Sequence, residues 1–436
     1  MRILSKETEA VKLFQSKNEY KRILSEIFKK YKRLGKFSGV FELKDLTEEE
    51  RRILAPLNYK YFNAKEAKIS VKKFLECFCS GRFEGLDFAK VLAIYFEDDL
   101  TTYREVKEDE KRKKEEFFKE VLNIDKDTMA ELWLKEALET KKFGYNILIK
   151  NYEDYNKNDK LEDFKVFLNN VLSGINSLTF NVNDLESLPI FSSKITKDPH
   201  YFDINTTAGK ILIHGICHKL KMEFPKDAEE TAEVLYFAGL SKDDVSSYIA
   251  TFGLKAYRGK SELKFIYGFT DIGEPLIFTL GNLSKVDKFI CNKSRLFIFE
   301  NPSLFSEVIK RTAQFKPSIL CTSGQLKLAS VVLLDKIVKD VEEIYYSGDF
   351  DPEGILIADK LKLRYGDKLK FWRFDVEDYL NIISNKAISG ISMTKVDSIQ
   401  DTELEPLIHE LKNIGRAGYQ ELLIGNYVED IMKVMK

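Results

Sequence analysis

The sequence predicts a multidomain α+β protein in three parts. A mainly helical N-terminal arm spans residues 1–185, a winged-helix (CAP-like) domain 186–288, and a Rossmann-like α/β domain 289–436. Helical periodicity runs almost unbroken to about residue 178. Proline, asparagine and serine then cluster in TFNVNDLESLPIFSSKITKDPHYFD, which marks a boundary. From residue 295 onward apolar strands and amphipathic helices alternate strictly, the pattern of a parallel sheet with right-handed crossovers.

At 436 residues and about 150 residues per domain, two or three domains are expected. Hydrophobic residues make up 44% and charged residues 32%, enough for a sizeable core. The net charge of −1 gives no global case for or against nucleic acid, so only local patches speak. No apolar run approaches the ~18 residues of a membrane span, and MRILSKETEAVK lacks the layout of a signal peptide. The expected location is the cytoplasm, with no membrane partner. Five cysteines without C-x-x-C spacing read as reduced thiols, mostly buried.

Residues 1–40 hold eleven Lys and Arg against four acids. EYKRILSEIFKKYKRLGKFSG predicts an amphipathic helix ended by Gly35, its charges on the outer face. That face is either simply solvated or a contact surface for DNA or an acidic partner. DLTEEERRIL opens on a capping signal. REVKEDEKRKKEEFFKE mixes both signs, as an exposed salt-bridged helix does.

In the middle part, TTAGKILIHGICHKLKMEF, AEETAEVLYFAGL and SKDDVSSYIATFGL predict three helices, the third capped by Ser241. KFIYGFTDIGEPLIFTLGNL predicts two strands around a DIGEP turn. Three short helices and a two-strand wing make the winged-helix expectation. His214 and His218 share a helix face with Cys217 between them, a spacing compatible with zinc. Gly215 stands where a metalloprotease needs Glu, and structural histidines are the commoner outcome.

In the last part RLFIFE, SILCTS, EIYYSGD and KFWRFD read as strands, each followed by a helix. Sites in such sheets form at the carboxyl ends of strands. Asn301-Pro302 and Asp351-Pro352 are good helix starts, and capping alone explains Asn301 and Asp351. Capping does not explain Glu300 and Asp349, each the last residue of an apolar strand. Acids there repel one another and lose solvation unless something positive binds. Clustered oxygen ligands at Glu300, Asp349 and Asp351 select Mg²⁺ or Mn²⁺, as one or two ions.

These motifs, E300-N-P and G348-D-F-D-P-E-G354, resemble the toprim domain of topoisomerases, primases and related nucleases. A winged helix ahead of it resembles the layout of the topoisomerase VI A subunit. More of the chain (DPHYFD, LYFAGLSKDDVSSYIATFGL, FENPS, CTSGQ, GDFDPEG, FWRFDVEDYL and FSGVFELKDLTEEERRIL) resembles the JetD-type (MksG-type) nuclease subunits encoded beside SMC-like ATPases in Wadjet plasmid-defence systems.

The resemblance implies a metal-dependent DNA endonuclease with Glu300 as metal ligand and general acid/base, and with Asp349 and Asp351 as paired ligands. Glu353 would assist through water. Thr322, Ser323 and Gly324 would contact phosphate or merely cap a helix. Arg373 would pair with acids or phosphate, and Glu421 is an additional acid. Double-stranded DNA, an SMC-like ATPase complex (JetABC/MksBEF-type) and a second copy of the chain are the implied partners.

The Arg/acid/Tyr-Tyr motif of topoisomerase VI is missing between residues 186 and 290, where Tyr201, Tyr236, Tyr248 and Tyr257 stand alone. Hydrolysis by activated water is therefore expected rather than a covalent protein–DNA link. The competing readings are a non-catalytic DNA-binding subunit, a topoisomerase VI A-like transesterase, and phosphotransfer through an aspartyl phosphate.

Overall fold

The computed structural model describes residues 5–123, 127–243, 245–324 and 326–436. Arg2 of the basic run, Asp244 and Gln325 lie outside the described residues. The chain divides into two compact units, Met1–Ile124 and Asp125–Lys436.

In the first unit, helices Lys6–Gln15 and Tyr20–Leu34 bury Phe14, Ile23, Leu24 and Ile27 in one core. Gly35, at φ 67°, closes the second helix, a left-handed turn that costs a glycine little. Strands Val40–Leu43 and Ala67–Ser70 pair antiparallel, turning Phe41, Leu43 and Ile69 inward. Thr47 and Glu50 form a capping box for helix Glu48–Leu54. The buried Glu50 carboxylate also takes Arg22 at 3.0 Å. Helix Tyr103–Leu122 carries the expected exposed ion pairs, Arg104–Glu108 and Asp109–Lys113.

The second unit holds a six-stranded sheet. Its strands are β1 (Tyr248–Phe252), β2 (Leu276–Thr279), β3 (Arg295–Phe299), β4 (Ile319–Cys321), β5 (Glu343–Ser347) and β6 (Leu369–Phe371). The order across the sheet is β6-β5-β3-β4-β1-β2. β3 pairs parallel with both β4 and β5, and β5 pairs parallel with β6. Helices Pro302–Thr312, Leu328–Ile337, Pro352–Tyr365 and Val376–Asn381 follow the four parallel strands in turn. The predicted β/α alternation holds at every step. Crossovers of this kind cover both faces, so β3 is apolar and buried from Leu296 to Phe299.

Two expectations for 186–288 are corrected. Helices Thr207–Leu220 and Ala228–Phe237 form as expected. SKDDVSSYIATFGL does not make a third helix. Asp243 accepts the Val245 and Ser246 amides at 2.9 Å each, making a turn, and β1 follows. β1 pairs antiparallel with β4 on one side and β2 on the other. Two ladders favour the β-branched and aromatic YIATF as a strand over any local helix preference. The first expected wing strand is also wrong. Lys264–Asp271 is a helix that buries Ile266 and Thr270, one turn apart, while LIFT is the strand β2. A separate hairpin, Leu254–Arg258 with Ser261–Glu262, pairs on to Lys288–Cys291.

The histidines are structural. His214 stacks on Phe224 at 4.1 Å, and His218 Nε2 meets Glu136 at 2.9 Å. The buried Cys217 thiol donates to the Glu223 carbonyl. No helix among the described residues is long and apolar enough to cross a membrane.

Candidate functional site

β3 and β5 are neighbours in register, so their ends fall side by side, and β4 flanks β3 on the other side. Glu300 leaves the end of β3, and Asp349 lies two residues past β5. Asp351 then caps the next helix, accepting the Gly354 amide at 2.8 Å. Asn301 caps its own helix through the Ser303 and Leu304 amides. Asp351 thus serves as a cap while its charge still acts on Glu300.

Gly348 lies beneath these acids. A Cβ there would stand 2.7 Å from the Tyr346 hydroxyl and 3.0 Å from Glu300 Oε2. Only glycine lets the strand end, the phenol and the carboxylate approach this closely. Gly354 has the same role, since its Cβ would meet the Asp349 carbonyl at 2.2 Å.

The electrostatics are one-sided. Burial, then the charges of Asp349 and Asp351, push Glu300 up to about 7, and the nearby Asp349 backbone N–H works against that shift. Burial is also the main cause that raises Asp349 and Asp351. Burial first, and then the acids above it, raise the fully buried Tyr346 phenol. Among the described residues none of the three acids makes an ion pair; Lys386 only lowers Asp351 from a distance. Glu300 Oε2 is buried without a hydrogen-bond partner.

The other sequence candidates divide. Glu353 faces away into a pair with Lys395 and a bond from the Ser392 hydroxyl at 3.2 Å, and the Lys395 bond is the main cause that lowers its pKa. Thr322 follows β4 directly, its amide bonded to the Phe299 carbonyl and its buried hydroxyl without a partner. Ser323 and Gly324 are both left-handed, at φ 56° and 89°, and the Gly324 amide reaches the Glu300 carbonyl at 3.3 Å. This loop does not cap the next helix, which starts at Leu328 with Lys327 in the cap position. Arg373 lies just past β6 in a bidentate pair with Asp430, at 2.8 and 3.1 Å. Trp372 Nε1 shares that carboxylate. Glu421 is exposed, accepts from Asn301 Nδ2 at 2.6 Å, and raises Asp349.

One wall of the site was not foreseen. Phe350 and Gly418 bridge antiparallel, through amide–carbonyl bonds of 2.9 and 3.1 Å, bringing the C-terminal segment against the D-x-D turn. The Gln420 amide then donates to Asp349 Oδ1 at 3.1 Å. The Gln420 side chain is 0% exposed, and neither amide atom has a hydrogen-bond partner among the described residues. It still lies near enough to Asp349 to lower that carboxyl. Nothing in the local sequence around Gln420 signals this, because the contact is made across about seventy residues.

The residues present fit a hard divalent cation. The donors are all oxygen, their charges are not neutralised, and one buried carboxylate oxygen has no partner. As placed, no three His, Cys, Asp or Glu side chains among the described residues stand close enough to enclose an ion, so binding requires the acids to draw together.

A family model described as "Protein of unknown function N-terminus (DUF3323)" matches residues 37–256, just over half of the chain, and the chain belongs to that family. A second, described as "Protein of unknown function C-terminus (DUF2399)", matches residues 276–431. No curated protein matches the chain.

Proposed function

We propose that the protein is a divalent-metal-dependent DNA endonuclease of the toprim type. The observation that carries this reading is the buried Oε2 of Glu300, unpartnered among the described residues, beside two acids that make no ion pair among them. In structural positions such a group costs stability without return. The pairing of the two family domains is in line with JetD-type proteins. That supports plasmid cleavage within an SMC-like defence complex as the setting.

In this reading Glu300, Asp349 and Asp351 hold Mg²⁺ or Mn²⁺, which when bound activates water, neutralises the scissile phosphate and stabilises the leaving oxygen. The chain's own residues orient the ligands. The Gln420 amide fixes one Asp349 oxygen, leaving the other for the ion. The Gly354 amide does the same for Asp351. The Thr322–Gly324 loop lies against Glu300 through the Gly324 amide, and its half-buried Ser323, rather than the buried Thr322 hydroxyl, faces a phosphate oxygen in this reading. Arg373 and Glu353, both engaged elsewhere, act as supports. The 186–288 stretch, with helices Thr207–Leu220, Ala228–Phe237 and Lys264–Asp271 and a small antiparallel sheet, positions duplex DNA through its phosphates. Cutting both strands takes two copies of the chain.

A non-catalytic DNA-binding subunit is the second reading, favoured by the acids not forming a closed cage as placed. The test is cleavage of closed-circular plasmid in Mn²⁺ at low salt, with and without SMC-like partners. Samples are run before and after proteinase K, beside a Glu300→Ala, Asp349→Ala double variant. Wild-type cleavage with protease-independent mobility supports the nuclease. Equal cleavage by the double variant overturns it, and products that enter the gel only after protease restore a covalent tyrosine. No cleavage under any condition, partners included, supports the binding subunit.

A further inference from the structure

We propose that the turn Tyr59–Asn63 in the first unit is a stacking platform for single-stranded nucleic acid. Tyr59 is 79% exposed and Phe62 44%. Their rings lie 6.1 Å apart and within 5° of parallel. Tyr59 in particular leaves most of its surface in solvent, with the less exposed Phe62 ring lying parallel to it.

The turn that presents them is held on both sides. The Asn58 side chain accepts the Lys60 amide at 3.1 Å, the Tyr61 hydroxyl donates to the Lys68 carbonyl, and the Leu46 amide reaches the Lys65 carbonyl at 2.9 Å. The rings are therefore presented by fixed backbone, and little ordering remains to be done on binding.

The surroundings select the ligand. Residues 58–73 carry Lys60, Lys65, Lys68, Lys72 and Lys73 against the single acid Glu66. Of these lysines only Lys72 makes an ion pair among the described residues, with Glu76 at 3.7 Å. Lys60, Lys65 and Lys68 are exposed. Exposed rings beside unneutralised lysines match bases joined by phosphates. A duplex hides its base faces, so the rings favour a single strand. These residues belong to the first unit and the acid cluster to the second, and the proposal does not depend on the nuclease reading.

The test uses the full chain and fluorescence anisotropy with two labelled probes, an oligo(dT) of about 20 nucleotides and a duplex of the same length. Tyr59→Ala with Phe62→Ala is expected to weaken oligo(dT) binding about tenfold or more, while duplex binding changes less than about twofold. Tyr59→Trp alone is expected to hold or tighten oligo(dT) binding. Lys60→Ala with Lys65→Ala is expected to make the dependence on log salt shallower by about 1.4. Equal losses on both probes, unchanged oligo(dT) binding by the ring variant, or no oligo(dT) binding by the wild type would each overturn the proposal. Unchanged binding would leave the ring pair as a protein contact. Matching melting curves check that the variants are folded; if the double variant melts early, Tyr59→Trp decides, and weakened oligo(dT) binding by it overturns the proposal.

Discussion

Gly348 shows how closely the acid site is packed. The groups that crowd this glycine are the Glu300 carboxylate and the Tyr346 phenol. Tyr346 is fully buried and cannot yield. Gly348→Ala is expected to cost about 1–3 kcal/mol of stability and to displace Glu300, so urea midpoint and Mn²⁺ affinity should fall together. Asp351 allows its two roles to be separated. Asn caps as well as Asp, so Asp351→Asn is expected to keep stability within about 0.5 kcal/mol while losing Mn²⁺ affinity. Asp351→Ala loses both, with about 1 kcal/mol of stability; a Mn²⁺ affinity unchanged in Asp351→Asn would reduce Asp351 to a cap. Glu300 and Asp349 were legible because each follows an apolar strand just ahead of a capping residue, and Asp351 because it is that cap and completes the D-x-D pair. Gln420 was not, because its position depends on a bridge between Phe350 and Gly418 that no local pattern encodes.

Among the elements, the parallel strands and their helices were readable throughout, since long apolar runs alternate with amphipathic ones there. The misreadings fell on short aromatic stretches. YIATF and KFIYGFTD have similar compositions, yet one is a strand between two partners and the other a helix with its own buried face. Tertiary pairing decided both. Helix Thr207–Leu220 gives a pH prediction. Burial depresses His214 to about 4 from an ordinary 6.5, with Phe224 against its ring. The unfolded chain then takes up the proton first, so this stability is complete above pH 6.5 and is lost as pH falls from 6.5 toward 4. The loss is at most about 3 kcal/mol, and less because the ring is partly exposed. Urea midpoints of wild type and His214→Phe should diverge between pH 7.5 and pH 5, with the wild type falling further. Parallel declines would contradict a buried neutral imidazole.

Across the whole molecule, the six-stranded sheet joins what the sequence divided. β1 lies within the N-terminal family model and β3 to β6 within the C-terminal one, yet β1 pairs directly with β4. A boundary read from composition cannot see a strand that pairs across it. Charge also divides unevenly. Residues 1–124 carry 28 Lys and Arg against 23 acids, so the rest of the chain is acidic. The surface proposed for nucleic acid thus falls in the first unit and the acids proposed to bind metal in the second. Partners can silence cleavage, but they do not remove the ligands for an ion. The most direct measurement is therefore Mn²⁺ binding to the purified chain, by calorimetry with electron paramagnetic resonance, beside Asp349→Ala. One or two Mn²⁺ bound by the wild type and lost in a folded Asp349→Ala variant is the predicted result. No binding by the wild type, or equal binding by the variant, would contradict a metal site on these three acids.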